Sequence, residues 1–141
     1  MSEFRSADEF REVMDKTFEL MSTDAEMGPK LRAAETPQRF EFPDLDLAVN
    51  ITYADEVVDG QHLRWEWSDD VPWEAEVEMS MDSETANKYF QGKENIAVAL
   101  ARRRIKSGGN VKKALALVPV TKPVFEKYRE MVEAEYPHLV E

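Results

Sequence analysis

Cysteine is absent from this chain of 141 residues, and histidine occurs only twice. Without cysteine the chain has no disulfide framework, no thiolate nucleophile and no cysteine-ligated zinc site. His62 and His138 lie far apart in sequence, and each is more typical of a surface position than of a catalytic base. We therefore expect no metal site, no cofactor and no catalytic residue, and the lack of cysteine fits a cytoplasmic protein.

Long apolar runs and an excess of basic residues are missing as well. No run approaches the roughly 18 apolar residues that a membrane-spanning helix needs, and the first residues, MSEFRSADEF, lack the apolar core of a secretory signal. Basic side chains number 18 against 29 acidic ones, for a net charge of −11. Because nucleic acids and anionic membranes favour a basic face, we expect no nucleic-acid partner and no stable membrane insertion.

Catalytic and metal-binding motifs are not found in the sequence. It contains neither a Gly-x-Ser-x-Gly elbow nor a His-Glu-x-x-His helix. The segment from Asp55 to Glu66 has carboxylates at offsets similar to those of a calcium loop, but Val57 occupies a ligand position. Asp59-Gly60 within it is a strong hairpin signal, so we interpret the segment as two strands and a turn.

The residues that are present fit a single domain over 1–141. A chain of this length has room for one sizeable core, and 43% hydrophobic residues suffice to fill it. Ser6 and Glu9 have the spacing of a capping box before a first amphipathic helix. Thr23-Asp24 is expected to cap a shorter second helix, which Gly28-Pro29 weakens.

From Arg39 onward the apolar period changes to two, which is typical of β-strands. Alternation predicts strands over Phe40–Tyr53, with an interruption at Pro43, then over Leu63–Trp67 and Glu74–Met81. Each has one apolar and one polar face, which indicates a largely antiparallel sheet with one face in water and helices on the other.

Two short helices are predicted after these strands, the first capped by Asp82 or Ser83 and the second over Glu94–Arg102. A short strand follows at Arg103–Ser107, and its pairing in parallel orientation is one possibility. The last helical region has a kink or a break at Pro119. The predicted fold is therefore α+β, with a mostly antiparallel sheet of about five strands and helices that cover one face.

A short signature lies in the second half of the chain. Its residues are Tyr89-Phe90, Gly92-Lys93, Asn95, Ala99, Arg104-Ile105-Lys106 and Gly109-Asn110. This signature and the order of the elements resemble the sterol carrier protein type 2 family of lipid-binding domains. Ile96, Arg103 and Ser107 depart from the proline, glycine and aliphatic residue that are common in the family. Gly92 is expected to end a helix and Gly109 to reverse the chain. The signature therefore indicates a structural scaffold and not a catalytic centre.

The resemblance implies a non-catalytic carrier with an apolar cavity between sheet and helices. Its ligand would be a fatty acid, an acyl thioester, a sterol or an isoprenoid-like lipid, and the protein would be a monomer or a weak dimer. The side chains expected to line the cavity are Tyr53, Trp65, Trp67, Met79, Met81, Phe90, Leu115, Phe125, Tyr128 and Met131. The apolar pattern alone favours a core in which these side chains only pack against one another.

Two other functions stay open at this point. One is a small cavity-containing enzyme of the cyclase or isomerase kind, and the other is a protein-interaction domain with a solid core. The densest basic cluster, Arg102–Arg104 with Lys106, would suit a ligand carboxylate, or it would pair with Glu74, Glu76 and Glu78 across the sheet.

Overall fold

The computed structural model describes residues 3–141 and contains six α-helices and five strands within them. The helices are α1 Ala7–Thr23, α2 Met27–Ala34, α3 Ser83–Phe90, α4 Ile96–Ala101, α5 Val111–Thr121 and α6 Val124–Glu135. The strands are β1 Gln38–Phe42, β2 Leu47–Val58, β3 Gln61–Glu66, β4 Val77–Ser80 and β5 Lys106–Gly109, and a 3-10 turn covers Pro137–Leu139. Across this part of the chain, no helix combines the length and the apolar character needed to span a membrane.

The five strands form one sheet in the order β3-β2-β1-β4-β5. All neighbouring strands are antiparallel except β1 and β4, which run parallel. The predicted α+β fold with a mostly antiparallel sheet is therefore confirmed. The parallel pair involves β1 and β4, whereas β5, for which a parallel pairing was considered, is antiparallel to β4.

The last strand begins three residues later than predicted and ends two residues later. Backbone N–H groups of Arg104 and Ile105 donate to the carbonyl of Ala99, so these residues form the turn that follows α4. The strand itself runs over Lys106–Gly109. A Cβ on Gly109 would lie 2.2 Å from the carbonyl oxygen of Glu76 and φ is +72°, so this close backbone approach requires glycine. The glycines that were predicted to follow the strand are part of it.

The outer face of the sheet, predicted to stay in water, is partly covered by the loop that precedes β4. Arg39 pairs with Asp69 at 2.7 Å, and the Asn50 side chain donates to the Ser68 carbonyl at 2.7 Å. The Arg64 guanidinium lies 4.8 Å from the centre of the Trp73 ring. This loop shortens β4 to Val77–Ser80, which is four residues shorter than predicted.

The helices pack on the other face of the sheet. The Ser6 side chain accepts from Glu9 N at 3.1 Å, and the Glu9 carboxylate accepts from Arg5 N at 3.0 Å, which confirms a cap at the predicted residue. Asp24 Oδ1 accepts from Met27 N at 2.8 Å and so caps α2. Core-facing residues of α1 recur at helical spacing: Phe10, Val13, Met14, Phe18 and Met21.

Pro119 lies inside α5, and the helix continues past it to Thr121. Proline has no N–H, so the carbonyl of Leu115 lacks its usual intrahelical donor. The helical region breaks instead at Lys122-Pro123, before α6. The α5 helix is thus continuous but has one hydrogen bond fewer than its length would allow.

Candidate functional site: an apolar cavity between sheet and helices

A cavity of about 100 Å³ lies between the sheet and the helices. Its wall combines side chains from α1, α2, α3, α4 and α5 with the core face of β1, β2, β3 and β4. Four of the lining side chains are methionines, and all four are buried: Met14, Met21, Met79 and Met81. Methionine is unbranched and has several rotatable bonds, so this wall is able to change shape at low energetic cost.

Four of the ten predicted ligand-binding residues lie in the cavity wall. They are Tyr53, Met79, Met81 and Phe90. Tyr53 comes from β2 and the methionines flank or belong to β4, where alternation places these side chains on the core face. Their role as ligand contacts stays a prediction.

Trp65 and Trp67 lie outside the cavity wall. Both indole N–H groups donate to the same oxygen, Asp15 Oδ1, at 3.0 and 2.6 Å. The ring of Phe18 packs against both indoles, with centroid separations of 5.6 and 6.3 Å. The two tryptophans therefore attach α1 to the end of β3.

Residues of α6 stand behind the cavity wall. The Tyr128 ring lies 5.3 Å from the Phe90 ring, and Phe125 lies 5.2 Å from Tyr89. Tyr128 is fully buried, its hydroxyl donates to Asn87 Oδ1 at 2.7 Å, and burial raises its pKa. Met131 is half-buried and packs on the core without lining the cavity. These side chains support the lining residues from outside.

On α5 the side chains that face inward differ from the predicted one. Leu115 is 39% exposed, whereas Ala114 and Leu117 are buried and line the cavity. Since α5 is apolar on nearly all sides, its period did not indicate which face is buried. The contributions of Met14 and Phe18 from α1 were missed too, although their helical spacing assigned them to the core.

The polar groups of the cavity wall are all uncharged. Among residues 3–141, no Asp, Glu, Lys, Arg or His side chain lines the cavity. The hydroxyl groups of Tyr89 and Thr121 form a hydrogen bond of 3.2 Å, and burial raises the pKa of the Tyr89 hydroxyl. The cavity is therefore suited to a hydrocarbon or another neutral group, since an unpaired buried charge is costly.

The basic cluster that was considered as a carboxylate anchor lies away from this cavity. Arg104 pairs with Glu94, and Lys113 of α5 pairs with Glu76. Arg102 and Lys106 are exposed to solvent. The expected pairing of Arg102–Arg104 and Lys106 with Glu74, Glu76 and Glu78 is not found in residues 3–141.

A wider, open groove adjoins the cavity at Tyr53, which borders both spaces. The groove has a volume of about 320 Å³ and is more polar than the cavity, with Arg32, Asp55 and His62 among its lining residues. Arg32 Nε donates to the Ala54 carbonyl at 2.9 Å. Tyr53 therefore lies between the apolar cavity and the more polar groove. Within residues 3–141, no cluster of three or more metal-ligating side chains is present.

Comparison with known proteins identifies the fold. No family model and no curated protein matches the chain. Among solved structures, the UbiJ-SCP2 ubiquinone synthesis protein aligns with a TM-score of 0.62 at 6% identity, over 86% of this chain and 96% of that one. Apo sterol carrier protein 2 from Yarrowia lipolytica aligns with a TM-score of 0.59 at 16% identity, over 88% and 94%. The chain thus has the sterol carrier protein 2 fold, as the signature predicted.

A larger protein also contains a similar fold. The sec-alkylsulfatase Pisa1 from Pseudomonas sp. aligns with a TM-score of 0.59 at 19% identity over 76% of this chain. The present chain covers only 16% of that sulfatase. A similar fold therefore also occurs as one part of a larger enzyme chain.

Proposed function

We propose that this protein binds an apolar small molecule, with a long hydrocarbon portion, in the cavity and carries it without chemical change. The observation that carries the proposal is an apolar cavity between sheet and helices that no charged side chain of residues 3–141 lines. The sterol carrier protein structures of the same fold support it, since their names describe lipid carriers.

The size of the cavity indicates that its wall moves when a ligand binds. At about 100 Å³ it is several-fold smaller than the 300–1,000 Å³ of ordinary ligand pockets. Rotation of Met14, Met21, Met79 and Met81 would enlarge it without breaking a hydrogen bond. Each methylene buried contributes about 0.8 kcal/mol, so a chain of about 16 carbons offsets much of the ~4–15 kcal/mol cost of association.

The charge distribution favours one orientation of the ligand. In the described part of the chain, no charged side chain lines the cavity, whereas the groove beyond Tyr53 holds Arg32 and His62 beside Glu35 and Asp55. A polar headgroup is more stable in that solvated groove, where its hydration is kept. The hydrocarbon portion would occupy the interior and the headgroup would stay near Tyr53.

A matched pair of substitutions on α5 tests the proposal. Ala114 is buried in the cavity wall, and Ala116, two residues on, is exposed. We expect Ala114→Leu to fill most of the free volume and to lower the affinity for a fluorescent fatty acid at least tenfold. Ala116→Leu should leave the affinity within twofold. Displacement titrations measure both, and native mass spectrometry of protein purified from cells detects a co-purified lipid.

Equal affinities for the two variants would contradict binding in this cavity. If no fatty acid, sterol or isoprenoid alcohol binds the unmodified chain, a solid-core interaction domain would be the better description.

A second function is favoured by the alkylsulfatase match. Because this fold forms part of that enzyme, the present chain would act as a module that holds the alkyl portion of a substrate for a separate catalytic partner. This alternative keeps the same cavity and the same ligand class. It differs in predicting a tight, stoichiometric protein complex, which size-exclusion chromatography of an affinity-purified sample would reveal.

A further inference from the structure

Two hydroxyl groups lie in the wall of the apolar cavity, between α3 and α5. Tyr89 of α3 and Thr121 at the end of α5 both line the cavity, and their oxygens are 3.2 Å apart. Neither residue lines the polar groove beyond Tyr53. The carrier function proposed above places the headgroup of the ligand at that groove and its hydrocarbon portion in the cavity, so it gives this hydroxyl pair no role.

The surroundings of the hydroxyl pair are apolar. The Tyr89 ring packs against the rings of Phe90 and Phe125, each with a centroid separation of 5.2 Å. Val118, one turn before Thr121 on α5, also lines the cavity. Burial raises the pKa of the Tyr89 hydroxyl, so this group stays neutral at physiological pH. The hydroxyl pair therefore suits a neutral polar group, since an unpaired charge would be costly there.

Both hydrogen atoms of the hydroxyl pair are used within the protein. Thr121 Oγ1 donates to the Val118 carbonyl at 3.1 Å, a bond that threonine commonly makes inside a helix. Because a hydroxyl has only one hydrogen, the contact between the two oxygens is satisfied when Tyr89 donates to Thr121. Among residues 3–141, Thr121 is the only hydrogen-bonding partner of the Tyr89 hydroxyl. The Tyr89 oxygen therefore keeps its capacity to accept a hydrogen bond.

A structural link between α3 and α5 explains only part of this arrangement. The α3 helix is already held by α6, where the Tyr128 hydroxyl donates to Asn87 Oδ1 and Arg129 donates to the Gln91 carbonyl. Two apolar side chains of the same shape would fill the same space at little cost in stability. A structural role accounts for the hydrogen bond, but it gives no reason for a free acceptor in the wall of an apolar cavity.

We propose that the Tyr89 oxygen accepts a hydrogen bond from a hydroxyl group on the hydrocarbon portion of the ligand. The ligand class is then a hydroxylated long-chain lipid, such as a hydroxy fatty acid. This inference rests on the proposed function, because it requires a hydrocarbon ligand in the cavity. A hydroxyl donor adds one hydrogen bond and breaks none. A keto oxygen has no hydrogen to donate, and it could accept only if the Tyr89 hydrogen left Thr121.

Displacement titrations of the full chain with three fatty acids of equal length test the proposal. They are octadecanoic acid, a hydroxyoctadecanoic acid and the oxo-octadecanoic acid with its oxygen on the same carbon, and the substituent is moved along the chain from one set to the next. At the matching carbon, the hydroxy acid should bind about fivefold more tightly than octadecanoic acid, the effect of one neutral hydrogen bond. The oxo acid should bind no more tightly than octadecanoic acid.

Two variants of the hydroxyl pair should change this preference in different ways. Tyr89→Phe keeps the ring and removes the oxygen, so the hydroxy acid should lose its advantage. Thr121→Val leaves the Tyr89 hydrogen without an acceptor, so the oxo acid should now gain about fivefold. Tyr136→Phe is the matched control and should keep the preference of the unmodified chain, because the Tyr136 hydroxyl contacts Glu12 and Lys16 and Tyr136 does not line the cavity.

Each protein is compared across ligands, so a loss of stability would lower the three affinities together and leave their ratios unchanged. Equal affinities for the hydroxy acid and octadecanoic acid at every position would overturn the proposal, as would a hydroxyl preference that survives Tyr89→Phe. In both cases octadecanoic acid still binds, and the carrier function stands. If none of the three acids binds the unmodified chain, the carrier function and this inference are both contradicted.

Discussion

Asp15 shows how one side chain positions two elements. Its Oδ1 accepts from the indole N–H of Trp65 at 3.0 Å and from that of Trp67 at 2.6 Å. Trp65 lies in β3, Trp67 follows directly after it, and Asp15 lies on α1. The carboxylate therefore fixes the helix over the sheet at one point. This contact holds one wall of the cavity in place, since Met14 and Phe18 lie beside Asp15 on the same helix.

Replacement of Asp15 by alanine should destabilise the protein by about 2 kcal/mol. Two half-buried indole N–H groups would lose their acceptor. An unpaired buried donor costs about 1–3 kcal/mol, and hydrogen bonds to water offset part of that cost here. Asp15→Asn is the matched control, because it keeps an oxygen acceptor and removes only the charge. Urea unfolding monitored by circular dichroism gives both values, and equal losses for the two variants would show that charge matters more than the hydrogen bonds.

Single residues of the cavity were predictable where the face of the sheet on which a side chain lies determines whether it lines the cavity. Alternation placed Tyr53, Met79 and Met81 on the core face, and they line the cavity. The same alternation placed Trp65 and Trp67 on that face, where a helix covers them instead. Period-two patterns indicate which face is buried, but they hold no information about what packs on each part of it.

At the scale of elements, Asp24 joins three helices. It ends α1, its side chain accepts from Glu26 N and Met27 N at the start of α2, and it pairs with Lys127 of α6 at 2.6 Å. The hydrogen bond from Lys127 and the two from backbone N–H groups lower the pKa of this carboxyl from 3.8 to about 2. The ionised form is therefore favoured in the folded state.

Asp24→Asn should lower the free energy of unfolding at neutral pH by about 1 kcal/mol, since the exposure of Lys127 screens the ion pair. The folded pKa lies below the unfolded one, so this stabilisation is complete above pH 4 and is lost as the pH falls toward 2. Denaturation curves of both proteins from pH 7 to pH 2 measure the difference. A difference that stays constant over this range would show that ionisation of Asp24 is not its origin.

Most elements were predictable from caps and periods, and the exception has a physical cause. Ser6, Asp82 and Asn110 cap helices as their sequence positions indicate, because a short polar side chain satisfies a free backbone N–H. The strand β5 was displaced because Gly108 and Gly109 have no preference for strands. Only the approach of the Glu76 carbonyl, a long-range contact, explains why glycines belong there.

At the scale of the whole molecule, the arrangement of strands was the least predictable feature. Each strand was recognisable by itself, yet the sequence pattern does not state that β4 pairs with β1. The order of elements predicted from the sequence resembles that of sterol carrier proteins, and it agrees with the fold of the solved structures. Which strands pair depends on packing between segments that are distant in sequence. The local alternation of apolar and polar residues holds no information about that packing.

The central position of β1 has a consequence for the order of folding. Its pairing with β2 is local, whereas its pairing with β4 joins Gln38 to Val77 across the whole hairpin. Loop closure makes such a distant contact slow, so the β1-β2-β3 meander should form in the transition state and β4-β5 should join later. Ile51→Ala should then mainly slow refolding and Val77→Ala mainly speed unfolding in stopped-flow experiments, and the reverse pattern would contradict this order.

Until β4 pairs with β1, one edge of β1 is open, so the nascent chain is most exposed to mispairing with another copy during that interval.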